Sequence, residues 1–170
     1  MKKNILITGV AGFIGSNLAE MLLKNNFNVV GIDNLSYGVL EQVPKGVDFH
    51  KKDIRDKDIH KLFNDIDCVF HLAAKNSIID CEENPSETED INVNGTKNIF
   101  EASIRKNIRK VIYAESSAVY EGTQKFPSSE TDANPQSVYA KSKIATNFIA
   151  RDFLKSHGLI STGLRYFNVY

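Results

Sequence analysis

Tyr139 and Lys143 stand four residues apart, a spacing that puts two side chains on one face of a helix. A phenol is a poor base at its ordinary pKa of about 10. An ammonium beside it stabilises the phenolate and is expected to bring it toward usable basicity. Ser116, just past the apolar run Val111-Ile112-Tyr113-Ala114, is placed to hydrogen-bond the oxygen being deprotonated. Together the three form a relay that removes a hydroxyl proton while hydride leaves the same carbon. Alone, a Tyr/Lys pair at this spacing reads more readily as ordinary helix surface. What precedes it in the chain gives it meaning.

Gly9, Gly12 and Gly15 lie between a short apolar run, Asn4 to Thr8, and a segment of helical period carrying Phe13, Ile14, Leu18, Met21 and Leu22. In such a loop the first glycine permits the tight turn. The second lets backbone approach a pyrophosphate, and the third lets helix pack closely on strand. The helix start then offers free N–H groups and a positive dipole end to phosphates. Asp33 follows Gly15 by 18 positions and ends the next apolar run. There a carboxylate hydrogen-bonds an adenosine ribose and repels a 2′-phosphate. No arginine close by in sequence would accept that phosphate, so NAD is expected rather than NADP. Asp53 could reach the adenine, or with Asp56 and Asp58 could open a charged helix.

These residues need a frame. Strands are expected at Asn4–Thr8, Val29–Ile32, Val47–His50, Asp67–Ala74, Val111–Ala114 and Ile160–Arg165. Between them come a helix from Phe13 and a charged helix with Ile59, Leu62 and Phe63 inward. Further on are a long helix from Glu87 to Asn107 and another from Val138 to His157. Continuous apolar strands mean that both sheet faces are covered. The alternation predicts an α/β fold, a doubly wound parallel sheet of the Rossmann type with helices on both faces, as one domain over residues 1–170. Two long connections, Asn34 to Gly46 and Glu121 to Ser137, leave the carboxyl ends of strands, where such folds bind ligands.

Composition narrows the partners. Lys plus Arg equals Asp plus Glu, 21 against 21, which gives no reason to expect nucleic acid or an anionic membrane. No apolar run reaches the roughly 18 residues of a membrane span. The basic start, Lys2-Lys3, is not read as a signal peptide, because Gly9, Gly12 and Gly15 break the apolar stretch behind it. Cys68 and Cys81 lack metal-ligand spacing, and a reducing, cytoplasmic setting is expected with no metal.

Several segments in order resemble the extended short-chain dehydrogenase/reductase family, in its nucleotide-sugar epimerase and dehydratase branch. They are Thr8–Gly15, Asp33–Ser36, His71–Ala74, Asn92–Thr96, Ser116–Tyr120, Tyr139–Lys143 and Leu164–Tyr170. The resemblance implies that Tyr139 is the base, Lys143 its partner and Ser116 the ligand of the substrate oxygen. It implies NAD contacts at Gly9, Gly12, Phe13, Ile14, Gly15, Asp33, Asn34, Ser36, Asp53, Ile54, Ala73, Ala74, Lys143 and Tyr166, with Asn168 facing a sugar nucleotide. A homodimer through the long helices is a further implication.

The resemblance also separates reaction types. Dehydratases of the branch resemble one another in placing Asp-Glu after the serine, and decarboxylases commonly carry a glutamate. Here Ser117-Ala118 follow, which favours epimerisation, typically at C4 of a UDP-sugar, over a dehydratase or keto-reductase. An NAD-binding regulator without chemistry is the reading from another class. Glu121 intervenes where the branch usually has glycine after Val-Tyr, and Cys81 stands where a serine is frequent. The sequence ends at Tyr170 inside a motif, and relatives in the branch continue for a similar length. The chain therefore reads as an amino-terminal part lacking the carboxyl-terminal substrate domain, expected to bind NAD without turning over a nucleotide sugar.

Overall fold

A computed structural model describes residues 2–170. Six parallel strands form one sheet: β1 (Asn4–Thr8), β2 (Asn28–Asp33), β3 (Asp48–Lys51), β4 (Cys68–His71), β5 (Lys110–Ser116) and β6 (Ile160–Tyr166), in the order β3-β2-β1-β4-β5-β6. β1 sits at the centre, with Ile5 level with Val29 on one side and Cys68 on the other. The chain winds outward in opposite directions from it. The carboxyl ends of β1 and β4 therefore flank a crevice at the switch point, where open α/β sheets take ligands.

Alternation along β1 explains the two cores. Ile5 and Ile7 face the layer of helix α1 (Phe13–Lys24) with Val10, Ala19 and Val29. Leu6 faces the opposite layer, among Ile59, Phe63, Ile99, Phe100 and Leu159. That layer holds helices α4 (Thr96–Arg105) and α5 (Val138–His157), with Phe100 edge-on to Tyr113 at 5.8 Å. Helices on both faces of a parallel sheet are the expected fold.

Three expected elements differ, each for a local reason. The long helix from Glu87 to Asn107 is interrupted. Short helices α2 (Ile78–Glu83) and α3 (Pro85–Glu89) lead into a wide π turn at Asp90–Gly95 before α4 begins. The extra residue in that turn rotates the helix surface, burying Asn92 beside the crevice while Ile99 and Phe100 stay on the sheet. The charged helix after β3 shrinks to a 3₁₀ turn at Ile59–Phe63. Side chains there compete for the backbone, with Asp53 N donating to Asp56 at 3.1 Å and Arg55 N to Asp53 at 2.9 Å. β4 ends at His71 rather than Ala74: Leu72 N shares its hydrogen between Thr8 O at 3.1 Å and the Thr8 hydroxyl, and Ala73 N turns to that hydroxyl alone.

Candidate active site

The glycine loop leaves β1 through Gly9, which has φ +75° and whose N–H donates to Ile32 O at 2.8 Å. A side chain at Gly15 would put its Cβ 2.1 Å from Gly9 O, so helix and loop touch as the spacing requires. Gly12 caps α1 without any side chain, and the first turn holds no acid. The helix start is thus left with free N–H groups and a positive end.

A cavity of about 440 Å³ opens there. Its wall includes Gly9, Gly12, Phe13, Asp33, Asn34, Ser36, Asp53, Ile54, Ala73 and Ala74, ten of the residues expected at a dinucleotide. Gly15 packs against Gly9, and neither Gly15 nor Ile14 lines the cavity. Asp33 is buried at the end of β2, accepting from Ala11 N at 3.0 Å and Leu35 N at 2.8 Å. The two backbone donors fix its carboxylate and leave further acceptor sites toward the cavity. The loop after β2 lies down on the glycine loop, with Val39 N donating to Ala11 O at 3.1 Å. The donors and the shape suit NAD: an uncapped helix start for a pyrophosphate and an anchored acid for a ribose.

An arginine is present after all. Arg55 shares the cavity wall with Asp33, but its guanidinium is committed to Asp53 at 2.8 Å and Asp90 at 2.9 Å. Asp53 accepts from Arg55 N, Nε and Nη2 and from Asn34 Nδ2, which fills the roughly four acceptor sites of a carboxylate. Hydrogen bonding from Arg55 holds its pKa far below the usual range. Sequence reading also missed Tyr37, Lys75 and Glu87 in the same wall. Lys75 is buried and ion-paired with Glu87, and burial combined with charge was the signal that one-dimensional spacing hides.

Beyond that wall, Ser116, Tyr139 and Lys143 come together at the carboxyl end of β5. Lys143 is buried and its Nζ donates to Ala114 O at 3.2 Å, 5.8 Å from the Tyr139 ring centre. Burial pushes the Lys143 ammonium down to about 8, against the opposing pull of Glu115 and Cys81. Tyr139 moves opposite to expectation: burial raises its pKa, and the facing Ser116 hydroxyl offsets only part of the rise. The lysine points at a carbonyl rather than at the phenol oxygen, which is why its charge does not win. Glu121, the residue that departs from the family pattern, closes the long loop. Its carboxylate accepts from Ser137 N at 2.9 Å and Ser137 Oγ at 2.8 Å, just ahead of α5. Tyr166 lines a different cavity, beside Arg165 and Phe167, and Asn168 is exposed.

The family model for the NAD dependent epimerase/dehydratase family matches residues 5–170. The chain belongs to that family. Over 170 residues it is 38% identical to a putative UDP-glucose 4-epimerase of Methanocaldococcus jannaschii, covering 98% of this chain and 56% of that protein. A UDP-N-acetyl-alpha-D-glucosaminuronate decarboxylase of Bacillus cytotoxicus is 39% identical over 183 residues, covering 100% of this chain and 56% of its own length. The crystal structure of a Thermotoga maritima UDP-glucose 4-epimerase with UDP-glucose superimposes with a TM-score of 0.95 at 35% identity, over 98% of this chain and 56% of that one. The chain thus spans about half the length of these relatives. Among the described residues no helix is long and apolar enough to cross a membrane, and no cluster of three or more His, Cys, Asp or Glu could hold a metal ion.

Proposed function

We propose that this chain carries the cofactor site and proton relay of an NAD-dependent epimerase acting at C4 of a UDP-sugar. The observation that carries the reading is the placement of Ser116, Tyr139 and Lys143 at one strand end beside a glycine-walled cavity. NAD, when bound, supplies the hydride acceptor. Tyr139, as the phenolate left once its own proton has passed to the neutral Lys143 amine, takes the proton of the sugar hydroxyl, and Ser116 holds the same oxygen. Lys143, held near neutrality by its burial, can give or receive a proton within the physiological range.

The turn after Ser116 supports epimerisation over elimination. Ser117–Tyr120 form one 3₁₀ turn, with Ala118 N donating to Ser116 Oγ at 3.2 Å, and Ser117 and Ala118 offer no acid or base to a leaving group. The 39% identity to a decarboxylase favours a second reading within the family, distinguished by loss of carbon dioxide from a sugar acid. A reductase or dehydratase would show net consumption of cofactor or loss of water, and a regulator would be indifferent to Tyr139. Cys68 and Cys81 are free thiols, which suits the reducing cytoplasm we propose for the protein. A homodimer through α4 and α5, where Phe148 is exposed, completes the proposal; a monomer by sedimentation at high concentration would remove that part.

Calorimetric titration of NAD and then NADP tests the cofactor site. NAD is expected to bind well ahead of NADP, and Asp33→Asn to weaken NAD about tenfold through loss of a charge-assisted hydrogen bond. Equal binding of the two cofactors would overturn the role given to Asp33.

A further inference from the structure

His71 ends β4 and is buried, outside both the cavity wall and the proton relay. Its two ring nitrogens each meet a threonine: Nδ1 lies 2.7 Å from Thr8 Oγ1 and Nε2 2.9 Å from Thr96 Oγ1. The surrounding bonds decide where the ring proton is. Thr8 Oγ1 already accepts from Ala73 N and from Leu72 N, both at 3.2 Å, the latter in a bond shared with Thr8 O at 3.1 Å, so both of its lone pairs are engaged. Its own proton therefore goes to His71 Nδ1. In a neutral ring Nε2 must then carry the hydrogen and donate to Thr96. Thr96 is free to accept, because its proton goes to Asn92 O at 2.6 Å.

The chain of bonds runs on. Asn92 accepts from Lys75 N at 2.8 Å, and its amide donates to Lys75 O and to Ser142 Oγ, each at 2.9 Å. Ser142 neighbours Lys143 on α5. Every donor from Thr8 to Asn92 points the same way along this path.

We infer that His71 is a positioning residue, locked as the neutral Nε2–H tautomer, which joins the strand bearing the glycine loop to the helix bearing Tyr139 and Lys143. The π turn is the middle of the link, since it brings Asn92 and Thr96 inward together. Burial, with the nearby Lys143 ammonium, pushes the His71 pKa down to about 3, in keeping with a ring that stays neutral. Lys143 on α5 is the charged group facing it, and the threonines on β1 and α4 do not titrate. A protonated ring would aim a second hydrogen at a Thr8 hydroxyl with no lone pair left.

This inference rests on the proposed cofactor site for its function but not for its chemistry, and two measurements separate them. In the 170-residue chain labelled with 15N-histidine, long-range proton–nitrogen correlation reads the tautomer directly. The His71 resonance is assigned through contacts to the Thr8 and Thr96 methyls. The expected result is a protonated Nε2 and a bare Nδ1, unchanged from pH 5 to 8. An Nδ1–H pattern, or titration within that range, overturns the assignment. The second measurement compares Thr96→Val with Thr96→Ser by NAD calorimetry. Valine keeps the shape and removes the hydroxyl, and is expected to weaken NAD at least tenfold, with serine within threefold of the parent. Equal affinity of the two variants overturns the positioning role. If the parent itself fails to bind NAD, the cofactor reading falls alone, and the nitrogen spectrum still decides the tautomer.

Discussion

The two helices that serve the site begin in opposite ways. α1 starts at Gly12 with no side-chain cap and no acid in its first turn, facing the cavity. α5 starts with side chains on two of its first three backbone donors. Ser137 Oγ accepts from Ala140 N at 3.1 Å, Glu82 from Val138 N at 2.6 Å, and Glu121 from the residues just before. An uncapped start is a cost to the fold, since free N–H groups and an unbalanced dipole end destabilise a helix by about 1 kcal/mol or more. A bare start at one helix and a largely side-chain-capped start at the other fit the proposed division of labour, the first open to an anion and the second holding a side chain in place. Tyr139 sits in the first turn of α5 and must be held still.

The sharpest way to break the α1 side is Gly15→Val. Its Cβ would clash with Gly9 O, and overpacking against backbone is expected to cost about 3 kcal/mol or more, with NAD binding abolished. Urea melts and calorimetry would show it; a variant as stable as the parent would mean that loop and helix are not in the contact described. Tyr139→Phe breaks the other side, and does so without touching cofactor affinity. In a longer protein that includes the substrate domain, turnover of a UDP-sugar should fall at least a hundredfold, about 2.7 kcal/mol of transition-state stabilisation. An unchanged rate would favour the regulator.

Acidity sharpens the contrast next. The Lys143 pKa is lowered on folding from its usual value of 10.5 to about 8. The unfolded chain thus binds the extra proton between those values, so stability rises with pH across that window and the penalty is fully present below it. Lys143→Met should flatten this rise, by up to about 2 kcal/mol between pH 8 and 10. A slope that persists in the variant would assign it to another group. Smallest is Glu121→Gln, which keeps the shape of the α5 start but removes its charge. About 0.5–1 kcal/mol of stability should go. The Glu121 pKa is lowered by its bonds to Ser137 and Gln136, despite the burial that raises it. Its contribution is therefore present above the unfolded carboxyl pKa and is lost as pH falls through the folded one. A parent and variant that melt alike at neutral pH but also at pH 3 would show that the contact carries nothing.

The α1 side was legible because it works through backbone and neighbours in sequence. Gly9, Gly12, Gly15 and Asp33 carry their geometry in their type and spacing; the structure sets Gly9, Gly12 and Asp33 in one wall and packs Gly15 against Gly9. The rest depends on partners that sequence separates. His71 meets Thr8 63 residues back and Thr96 25 residues on, and Asn92 meets Ser142 across 50. The π turn has no periodic signature, so Glu87 to Asn107 read as one helix. Glu121 was visible as a departure, but its partner 16 residues later was not. Lys143 was visible as a charge beside a phenol, and only its bond to Ala114 O, across 29 residues, shows that it is directed at a carbonyl instead.

The central place of β1 also dictates an order of assembly. Its first neighbour, β2, follows within 24 residues, whereas Ile5 finds Cys68 only 63 residues later. At about 5–20 residues per second, a ribosome keeps that edge of β1 waiting for several seconds after β2 has been made. During that interval Leu6 and Ile7, wholly buried at the end, belong to an open apolar ribbon that any other strand could join. Nascent chains of this protein are most exposed to mispairing before β4 emerges, and early chaperone contact would matter most there.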